Sequence, residues 1–367
     1  MAAGKIPWPV VARHLNRIED ASVLVGPGVG LDFAAVELGD EVLVTATDPV
    51  TFASEEVGRY SVIVNANDVA CSGAAPQWFQ VVVLMPDDPA RSKGTQNRRR
   101  EGEGVADVGT RDAADEVATG GGTVDFEATF ARIMGQIRKE LTGLGATLIG
   151  GHSEVTIGLD RPILVGQMMG RTTKEQLILP RARLGDALLM AGSVAVEATA
   201  LLAREIPGRL LAAGLDRADL KAAAAYLTDP GLSVVQAARA AAATGLVSAM
   251  HDVTEGGLAQ AAHELAEACG VGLELAWDRL PLSDLTVQVC QAAGADPLGS
   301  IGSGGLLLTC AELEADLVAR AVRLAGASCR VVGRVVEEGA WMLKDGQRRS
   351  LPFFEVDEAA RCLGNQS

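Results

Sequence analysis

The sequence contains no pair of cysteines at C-x-x-C spacing, and none of its four histidines stands with a cysteine at the spacing of a zinc site. A zinc centre is therefore excluded as the basis of its chemistry. The six cysteines are scattered, most of them in apolar segments, which is typical of buried, reduced thiols. We therefore expect a protein of a reducing, cytoplasmic compartment.

Long apolar runs and an excess of basic charge are also absent. No stretch reaches the ~18–20 uninterrupted apolar residues of a transmembrane helix, and the N-terminus lacks the apolar core of a signal peptide. The 47 acidic and 32 basic residues give a formal charge of −15. Because such a surface repels phosphate backbones and anionic lipids, the composition argues against nucleic-acid and membrane partners and favours a small molecule or a protein.

The chain has 367 residues, of which 48% are hydrophobic. At about 100 to 200 residues per domain, this length predicts two domains. We place them at residues 1–172 and 183–337, separated by a polar connection and followed by a C-terminal extension, 338–367, whose end beyond Pro352 we expect to be peripheral. Segment 87–123 has almost no large apolar residue, so we predict a flexible insertion in the first domain.

Apolar periodicity predicts the order β-β-α-β-α-β-β for the first half, an α+β layer whose helices cover one face of a mostly antiparallel sheet. A short amphipathic helix precedes this pattern. The predicted elements are a helix over 8–24, strands over 33–38 and 42–47 joined as a hairpin at Gly39-Asp40, a helix over 57–70, a strand over 78–85, a helix over 125–144, and strands over 146–149 and 162–169.

The second half repeats the mixed pattern, with alanine-rich helices. We predict strands over 187–190, 271–276, 306–309 and 330–336, and helices over 196–205, 218–227, 234–243, 258–268 and 313–324. The segment 251–257, with the sequence HDVTEGG, is predicted to be a turn before the helix at 258.

Polar residues occupy unusual positions on the predicted strand and helix between 42 and 70. Asp48 ends the apolar strand, and Asn65, Asn67 and Asp68 stand on an otherwise apolar helix. Burying such groups without partners costs several kcal/mol, and a hard cation such as Mg²⁺ is a natural partner for them. Each aspartate taken alone is equally well explained as a cap or turn residue.

Further polar, glycine-rich segments end other apolar stretches: Gly26–Asp32, Gly150–Glu154 and His251–Gly257. Carboxylates for a metal together with glycines that let backbone amides approach phosphates are the equipment of phosphoryl transfer. For His152 and His251, ligand contact and a structural role in the turn remain equally open.

In sequence order, the stretches GVGLDFAAV, TATD, VNANDVACSGAAP, LIGGHSEVT, SAMHDVTEGGLAQAAHELA and GSGGLLLT resemble the superfamily of aminoimidazole ribonucleotide (AIR) synthase, the hydrogenase maturation factor HypE and thiamine-monophosphate kinase. The resemblance covers nearly the whole chain except the insertion and the C-terminal end. It is greatest to the AIR-synthase-related, HypE-like proteins, which share the GGH[ST]EVT element and the N-A-N-D helix.

The resemblance implies a two-domain AIR-synthase-like fold, a homodimer whose N-terminal sheets pair into a barrel, and an enzyme that uses ATP and Mg²⁺. The ATP γ-phosphate would pass to an amide, thiocarbamate or similar oxygen of an unidentified small or protein-borne acceptor, with a maturation protein as partner. The implied metal ligands are Asp32, Asp48 and Asp68, and the implied catalytic residues are Asp68, His152 and Asp252. The implied nucleotide-binding residues are Gly28, Gly30, Asp32, Thr47, Asn67, Gly150, Gly151, Glu154, Thr254, Gly256 and Gly257.

Two departures from the family pattern keep alternatives open. HypE carries its substrate on a cysteine at the last position, whereas Cys362 is followed by five residues. The kinase relatives have Asp-Asp after the glycine turn, where this chain has Leu31-Asp32. A small-molecule kinase resembling thiamine-monophosphate kinase and a non-catalytic nucleotide-binding assembly factor are the alternatives to a dehydrating enzyme.

Overall fold

In the first half of the described chain, six strands form one sheet. The computed structural model describes residues 6, 8–15, 18–51, 55–87 and 126–364. The strands are β1 (Val23–Val25), β2 (Ala34–Leu38), β3 (Glu41–Val50), β4 (Ala75–Pro86), β5 (Thr147–Thr156) and β6 (Ile163–Thr172), in the spatial order β1-β2-β3-β6-β4-β5. The helices are α1 (Trp8–Ala12), α2 (Val57–Cys71) and α3 (Phe126–Leu144). The predicted insertion, apart from Asp87, lies outside the described residues.

The predicted hairpin is confirmed. Strands β2 and β3 pair antiparallel with Leu38 opposite Glu41, which leaves Gly39 and Asp40 as the two-residue turn. Gly39 has a φ of +67°, a conformation that glycine adopts without steric cost. The hairpin therefore follows directly from the sequence.

The predicted helix at 57–70 is confirmed as α2, and it is buried along most of its length. Asn65, Asn67 and Asp68 are 0%, 1% and 6% exposed, respectively. A helix buried on all sides is what its near-continuous apolar sequence predicts. The polar side chains on it are thus true interior groups, as the sequence suggested.

Three local predictions are wrong. The helix expected over 8–24 ends at Ala12, and residues 23–25 form β1, because pairing with β2 outweighs a weak helical pattern. The segment Gly150–Glu154 continues β5 rather than forming a turn, and His251 and Asp252 lie on a strand rather than in a turn. Glycine in a strand marks a close approach of another backbone: a Cβ on Gly151 would lie 2.0 Å from the Val81 carbonyl oxygen.

The second half contains a sheet of seven described strands in the order β13-β12-β9-β11-β7-β10-β8. Strand β12 runs parallel to β9, and the other neighbouring pairs are antiparallel. The strands are β7 (Ala187–Ala191), β8 (Val247–Val253), β9 (Gly272–Ala276), β10 (Gly305–Cys310), β11 (Cys329–Val336), β12 (Ala340–Lys344) and β13 (Gln347–Ser350). The helices are α4 (Val196–Glu205), α5 (Pro207–Ala212), α6 (Arg217–Ala224), α7 (Val235–Ala242), α8 (Gly257–Cys269), α9 (Asp284–Ala293), α10 (Ala315–Leu324) and α11 (Glu358–Gly364).

The end of the chain beyond Pro352 was expected to be peripheral, and this prediction is wrong. Ala359 and Cys362 are both 1% exposed and belong to a hydrophobic core cluster. Before Pro352, strands β12 and β13 extend the second sheet. At seven residues, α11 is too short for the periodicity of its sequence to indicate burial, and only packing against the domain reveals it.

The chain forms two compact units, and each is described by itself. Unit 1 comprises residues 1–47, 63–78 and 167–367, and unit 2 comprises residues 48–62 and 79–166. The predicted domain limits stay a prediction. Within the described ranges, none of the helices combines the length and apolar character that crossing a membrane requires. All six cysteines are free thiols, and five of them are buried, as expected.

Candidate active site

A buried histidine lies between two carboxylates in unit 1. His251 on β8 is 3% exposed; its Nδ1 lies 2.6 Å from Asp32 Oδ2 and its Nε2 lies 3.1 Å from Glu264 Oε2 on α8. Burial alone lowers the pKa of His251, but the charges and hydrogen bonds of Asp32 and Glu264 outweigh it and raise the pKa to about 10. His251 is therefore an imidazolium whose two N–H groups donate to the carboxylates. We call these three residues the histidine triad.

Asp252 and Cys71 adjoin the histidine triad. One ligand atom each from Asp32, Cys71 and Asp252 lies within 4.8 Å of the others, the one such group of three found in the described part of the chain. Burial raises the pKa of the Cys71 thiol well above its usual range, and the charges of Asp252, Asp32 and Asp68 add to this effect. A protonated thiol does not suit Mg²⁺, which takes oxygen ligands. The carboxylates of Asp32 and Asp252, which belong to this group, do suit it, so unit 1 offers oxygen ligands that fit Mg²⁺.

Asn67 makes a different contact from the one predicted. Its Nδ2 donates to the Leu232 carbonyl oxygen at 3.0 Å, and its Oδ1 accepts from the Val234 N–H at 2.9 Å. The Asn67 side chain therefore satisfies one backbone acceptor and one backbone donor, and it joins α2 to the segment before α7. Its predicted contact with a nucleotide stays a prediction.

The segment after β8 connects the strand to α8 through two glycines. Gly256 and Gly257 have φ values of +80° and +66°. A Cβ on Gly257 would lie 2.6 Å from two backbone carbonyl oxygens, and the Gly256 N–H donates to Asp357 Oδ2 at 2.9 Å. The Thr254 carbonyl oxygen accepts from the Gly257 N–H at 3.1 Å. These predicted nucleotide-binding residues thus have a clear structural role in starting the helix.

The glycine turn before Asp32 packs directly on α8. Gly30 has a φ of +66°, and a Cβ there would lie 2.2 Å from the Glu264 carbonyl oxygen. A Cβ on Gly28 would meet only the flexible side chain of Leu31, at 2.6 Å. Gly30 is therefore required by packing, whereas Gly28 is not.

The other predicted site residues are exposed. Thr47, in unit 1, lies near the end of β3, and Asp48 follows it in unit 2. Gly150, Gly151, His152 and Glu154 lie on β5 in unit 2, where His152 Nε2 is 3.3 Å from Glu154 Oε2, with the side chains 67% and 51% exposed. For these residues a site role stays a prediction.

The sequence analysis missed Glu264 and Cys71 as members of the buried cluster. Glu264 had no distinct signal, because Gln260 and Glu267 stand at helical spacing from it and make it one of several polar residues on the helix. Cys71 had none either, since a cysteine on a buried helix is ordinary.

The arrangement restricts the chemistry that His251 can perform. Both ring nitrogens are occupied and protonated, so the imidazole is a fixed cation rather than a general base. Asp252, at 2% exposure, and Asp68, at 6%, are buried carboxylates of the same unit, and the charges of both act on the Cys71 thiol. Such a cluster can orient carboxylate oxygens for a cation and hold them rigidly.

The N-terminal domain model of the AIR synthase related proteins matches residues 30–172, and the C-terminal domain model matches residues 183–343. Carbamoyl dehydratase HypE of Rhodobacter capsulatus is 29% identical over 89% of this chain and 82% of its own length. Carbamoyl dehydratase HypE of Escherichia coli is 26% identical over 98% of this chain and 93% of its own length.

Solved structures share the fold. The crystal structure of E. coli HypE is similar to this chain with a TM-score of 0.66 at 21% identity, and the match covers 87% of this chain and 88% of that one. HypE in complex with ATP has a TM-score of 0.65 at 19% identity and covers 89% of each chain. A HypE–HypF complex gives a TM-score of 0.62 at 14% identity, covering 87% of this chain and 93% of that one. With a two-domain, AIR-synthase-like α+β fold and both domain models matched, the chain belongs to the family of AIR synthase related proteins.

Proposed function

We propose that this protein is an ATP- and Mg²⁺-dependent enzyme of the HypE type, which transfers the γ-phosphate of ATP to an amide or thiocarbamate oxygen during hydrogenase maturation. The curated relatives named carbamoyl dehydratase support this activity over the small-molecule kinase and the non-catalytic assembly factor. Phosphorylation turns that oxygen into a good leaving group, so its loss as phosphate completes a dehydration.

The observation that carries the proposal is the meeting of three distant motifs in unit 1. Asp32 comes from GVGLDF, Asp68 and Cys71 from NANDVAC, and His251 and Asp252 from MHDVTEGG. Their ligand atoms and charges form one buried cluster. Interiors rarely hold so many carboxylates without a functional reason, because each buried charge must be paired.

Asp32 and Asp68 would hold the metal through carboxylate oxygens, and Asp48 is assigned to the same ion by the family resemblance. A bound Mg²⁺ neutralises phosphate charge and so favours phosphoryl transfer. Of the two carboxylate oxygens of Asp32, Oδ2 faces His251 Nδ1, so the histidine triad fixes the orientation of the other. Asp252 is the catalytic carboxylate beside it. Roles in nucleotide binding for the exposed residues of β5, and for His152 in catalysis, belong to the same proposal.

Isothermal titration of the purified protein with ATP in the presence of Mg²⁺ tests this proposal. We expect binding that disappears with a chelator and that Asp68→Asn weakens about tenfold or more. Asp160→Asn, on a side chain that is 83% exposed in unit 2, is the matched control and leaves affinity unchanged. Absence of Mg²⁺-dependent ATP binding in the wild type contradicts the proposal.

The reaction products distinguish a dehydratase from a kinase. With ATP, Mg²⁺ and a thiocarbamate-bearing peptide, a dehydratase yields ADP, free phosphate and a peptide that has lost one water. A kinase yields ADP and a stable phosphorylated acceptor.

Cys362 is 1% exposed, and its Sγ donates to the Ala293 carbonyl oxygen at 3.2 Å. If Cys362 carries the substrate, Cys362→Ala abolishes turnover; an unaffected variant points to a free or partner-borne acceptor.

A homodimer and a maturation partner belong to the same proposal. Strand β5 ends the strand order of the first sheet, and Ile149 and Val155 on it are 49% and 54% exposed. An exposed apolar edge strand is suited to pairing with a second copy, in line with a barrel shared by two protomers. Sedimentation analysis of Val155→Lys, with Leu317→Lys on α10 as control, tests this pairing. A cytoplasmic location remains the expectation.

A further inference from the structure

We infer that Glu264 is a positioning residue for nucleotide binding, which acts through His251 to fix Asp32 and the glycine turn that precedes it. The inference rests on the proposed function, because it concerns how the predicted phosphate-side turn is held. Glu264 stands 232 residues after Asp32 in the sequence, and neither composition nor motif spacing assigns it a role.

The first contact between Glu264 and the turn is made by the backbone. A Cβ on Gly30 would lie 2.2 Å from the Glu264 carbonyl oxygen and 2.6 Å from its carbonyl carbon. The glycine turn therefore packs against the backbone of Glu264, the residue whose side chain belongs to the histidine triad. Because main chain meets main chain here, the turn has little freedom to shift relative to α8.

The second contact is made by a chain of hydrogen bonds. Gln260 Nε2 donates to Glu264 Oε1 at 3.0 Å, Glu264 Oε2 accepts from His251 Nε2 at 3.1 Å, and His251 Nδ1 donates to Asp32 Oδ2 at 2.6 Å. Each link sets the direction of the next, since the imidazole ring is planar and its two nitrogens point in fixed directions. The orientation of the Asp32 carboxylate thus depends on where α8 holds Glu264.

Burial makes this series of hydrogen bonds rigid. The side chains of His251, Asp32 and Glu264 are 3%, 11% and 12% exposed. Charge-assisted hydrogen bonds in such surroundings are stronger than in water. Glu264 holds the second ring nitrogen of His251 and so prevents the ring from turning away from Asp32. A site that depends on carboxylate direction loses affinity when such support is loosened.

A purely structural role for Glu264 would predict a different outcome. In that case Glu264→Gln would lower the melting temperature while leaving the affinity of the folded protein for nucleotide unchanged. A positioning role instead lowers affinity, and it does so only as long as Asp32 is present to be positioned. A double-mutant cycle separates the two, because residues acting through one another give non-additive effects.

The test measures the affinity of the full-length protein for a non-hydrolysable ATP analogue with Mg²⁺, in wild type, Glu264→Gln, Asp32→Asn and the double variant. Glutamine keeps the size and an acceptor oxygen but removes the charge. We expect Glu264→Gln to weaken binding about tenfold, and to have no further effect in the Asp32→Asn background. Glu267→Gln, an exposed residue on the same helix, is the matched control, and melting curves confirm that the variants fold.

Three results would overturn the inference: unchanged affinity in Glu264→Gln, additive effects of the two substitutions, or no effect of Asp32→Asn while the wild type binds the analogue. The first two leave the proposed function unchanged, whereas the third also removes Asp32 from the proposed metal site but leaves Mg²⁺-dependent ATP binding in place. Failure of the wild type to bind the analogue with Mg²⁺ is a separate outcome, and it rejects the proposed function together with the inference that rests on it.

Discussion

Replacing Glu197 with glutamine is expected to remove a loss of stability that the wild-type protein suffers as the pH rises toward neutrality. Glu197 lies on α4 and is 4% exposed, and its Oε2 has no hydrogen-bond partner among the described residues. Burial raises the pKa of Glu197 from 4.5 to about 7; hydrogen bonds from Ser303 oppose this shift, and the charge of Asp357 adds to it. The folded protein therefore destabilises the ionised form of Glu197 relative to the protonated form.

The sign and size of the effect follow from linkage. Because the pKa is higher in the folded state, the folded protein binds the proton more tightly, so stability is greatest below pH 4.5 and falls as the pH rises through about 7. At about 1.4 kcal/mol for each pH unit between these two pKa values, the loss is roughly 3 kcal/mol. Asp357, whose pKa burial raises to about 6, adds a loss of the same sign that is present in both proteins.

Denaturant unfolding followed by tryptophan fluorescence at a series of pH values measures the effect. The free energy of unfolding of Glu197→Gln, relative to the wild type, should rise by roughly 3 kcal/mol from about pH 4 to about pH 8. Glu205→Gln, an exposed residue on the same helix, should follow the wild-type curve. Parallel curves for the wild type and Glu197→Gln would refute the reasoning.

Three further predictions concern Gly257 at the start of α8, the hydrogen bonds of Asn67 and the predicted insertion. Gly257→Ala should destabilise the fold by about 2–4 kcal/mol in thermal unfolding, because the added Cβ lies 2.6 Å from two carbonyl oxygens at a positive φ; a wild-type melting temperature would contradict this. Asn67→Ala should cost about 2–3 kcal/mol through two lost buried hydrogen bonds, and Asn67→Asp, which restores only the acceptor, should not rescue it in urea titrations. Deletion of residues 88–122 should leave the melting temperature unchanged, because the sequence there offers little apolar area to bury, and a large drop would show otherwise.

Local patterns predicted the parts of the fold that depend on neighbours in sequence. The β2–β3 hairpin followed from Gly39-Asp40 between two apolar strands, and α2 followed from an apolar run ended by Gly73. Where two patterns competed, local signals failed. Gly150-Gly151 resembled a turn but continues β5, since contact with the neighbouring backbone at Val81 decides the conformation there.

The candidate site was predicted in part. The sequence identified Asp32, Asp68 and the segment beginning at His251 as chemically important, because polar groups in apolar surroundings need partners. It did not identify the partner of His251. Glu264 lies 13 residues away on the next helix, so its contact with the ring depends on how α8 folds back along β8.

By itself, the sequence determined which residues have the chemistry for a phosphoryl-transfer site and, through the order of its motifs, the family to which the chain belongs. Residue type and local spacing are enough for that, because they specify ligand chemistry and helix or strand periodicity. Only the tertiary structure decided that His251 is a buried cation between Asp32 and Glu264, and that the Asn67 amide joins two backbone segments. These assignments depend on distances between groups far apart in the chain, and long-range packing alone fixes such distances.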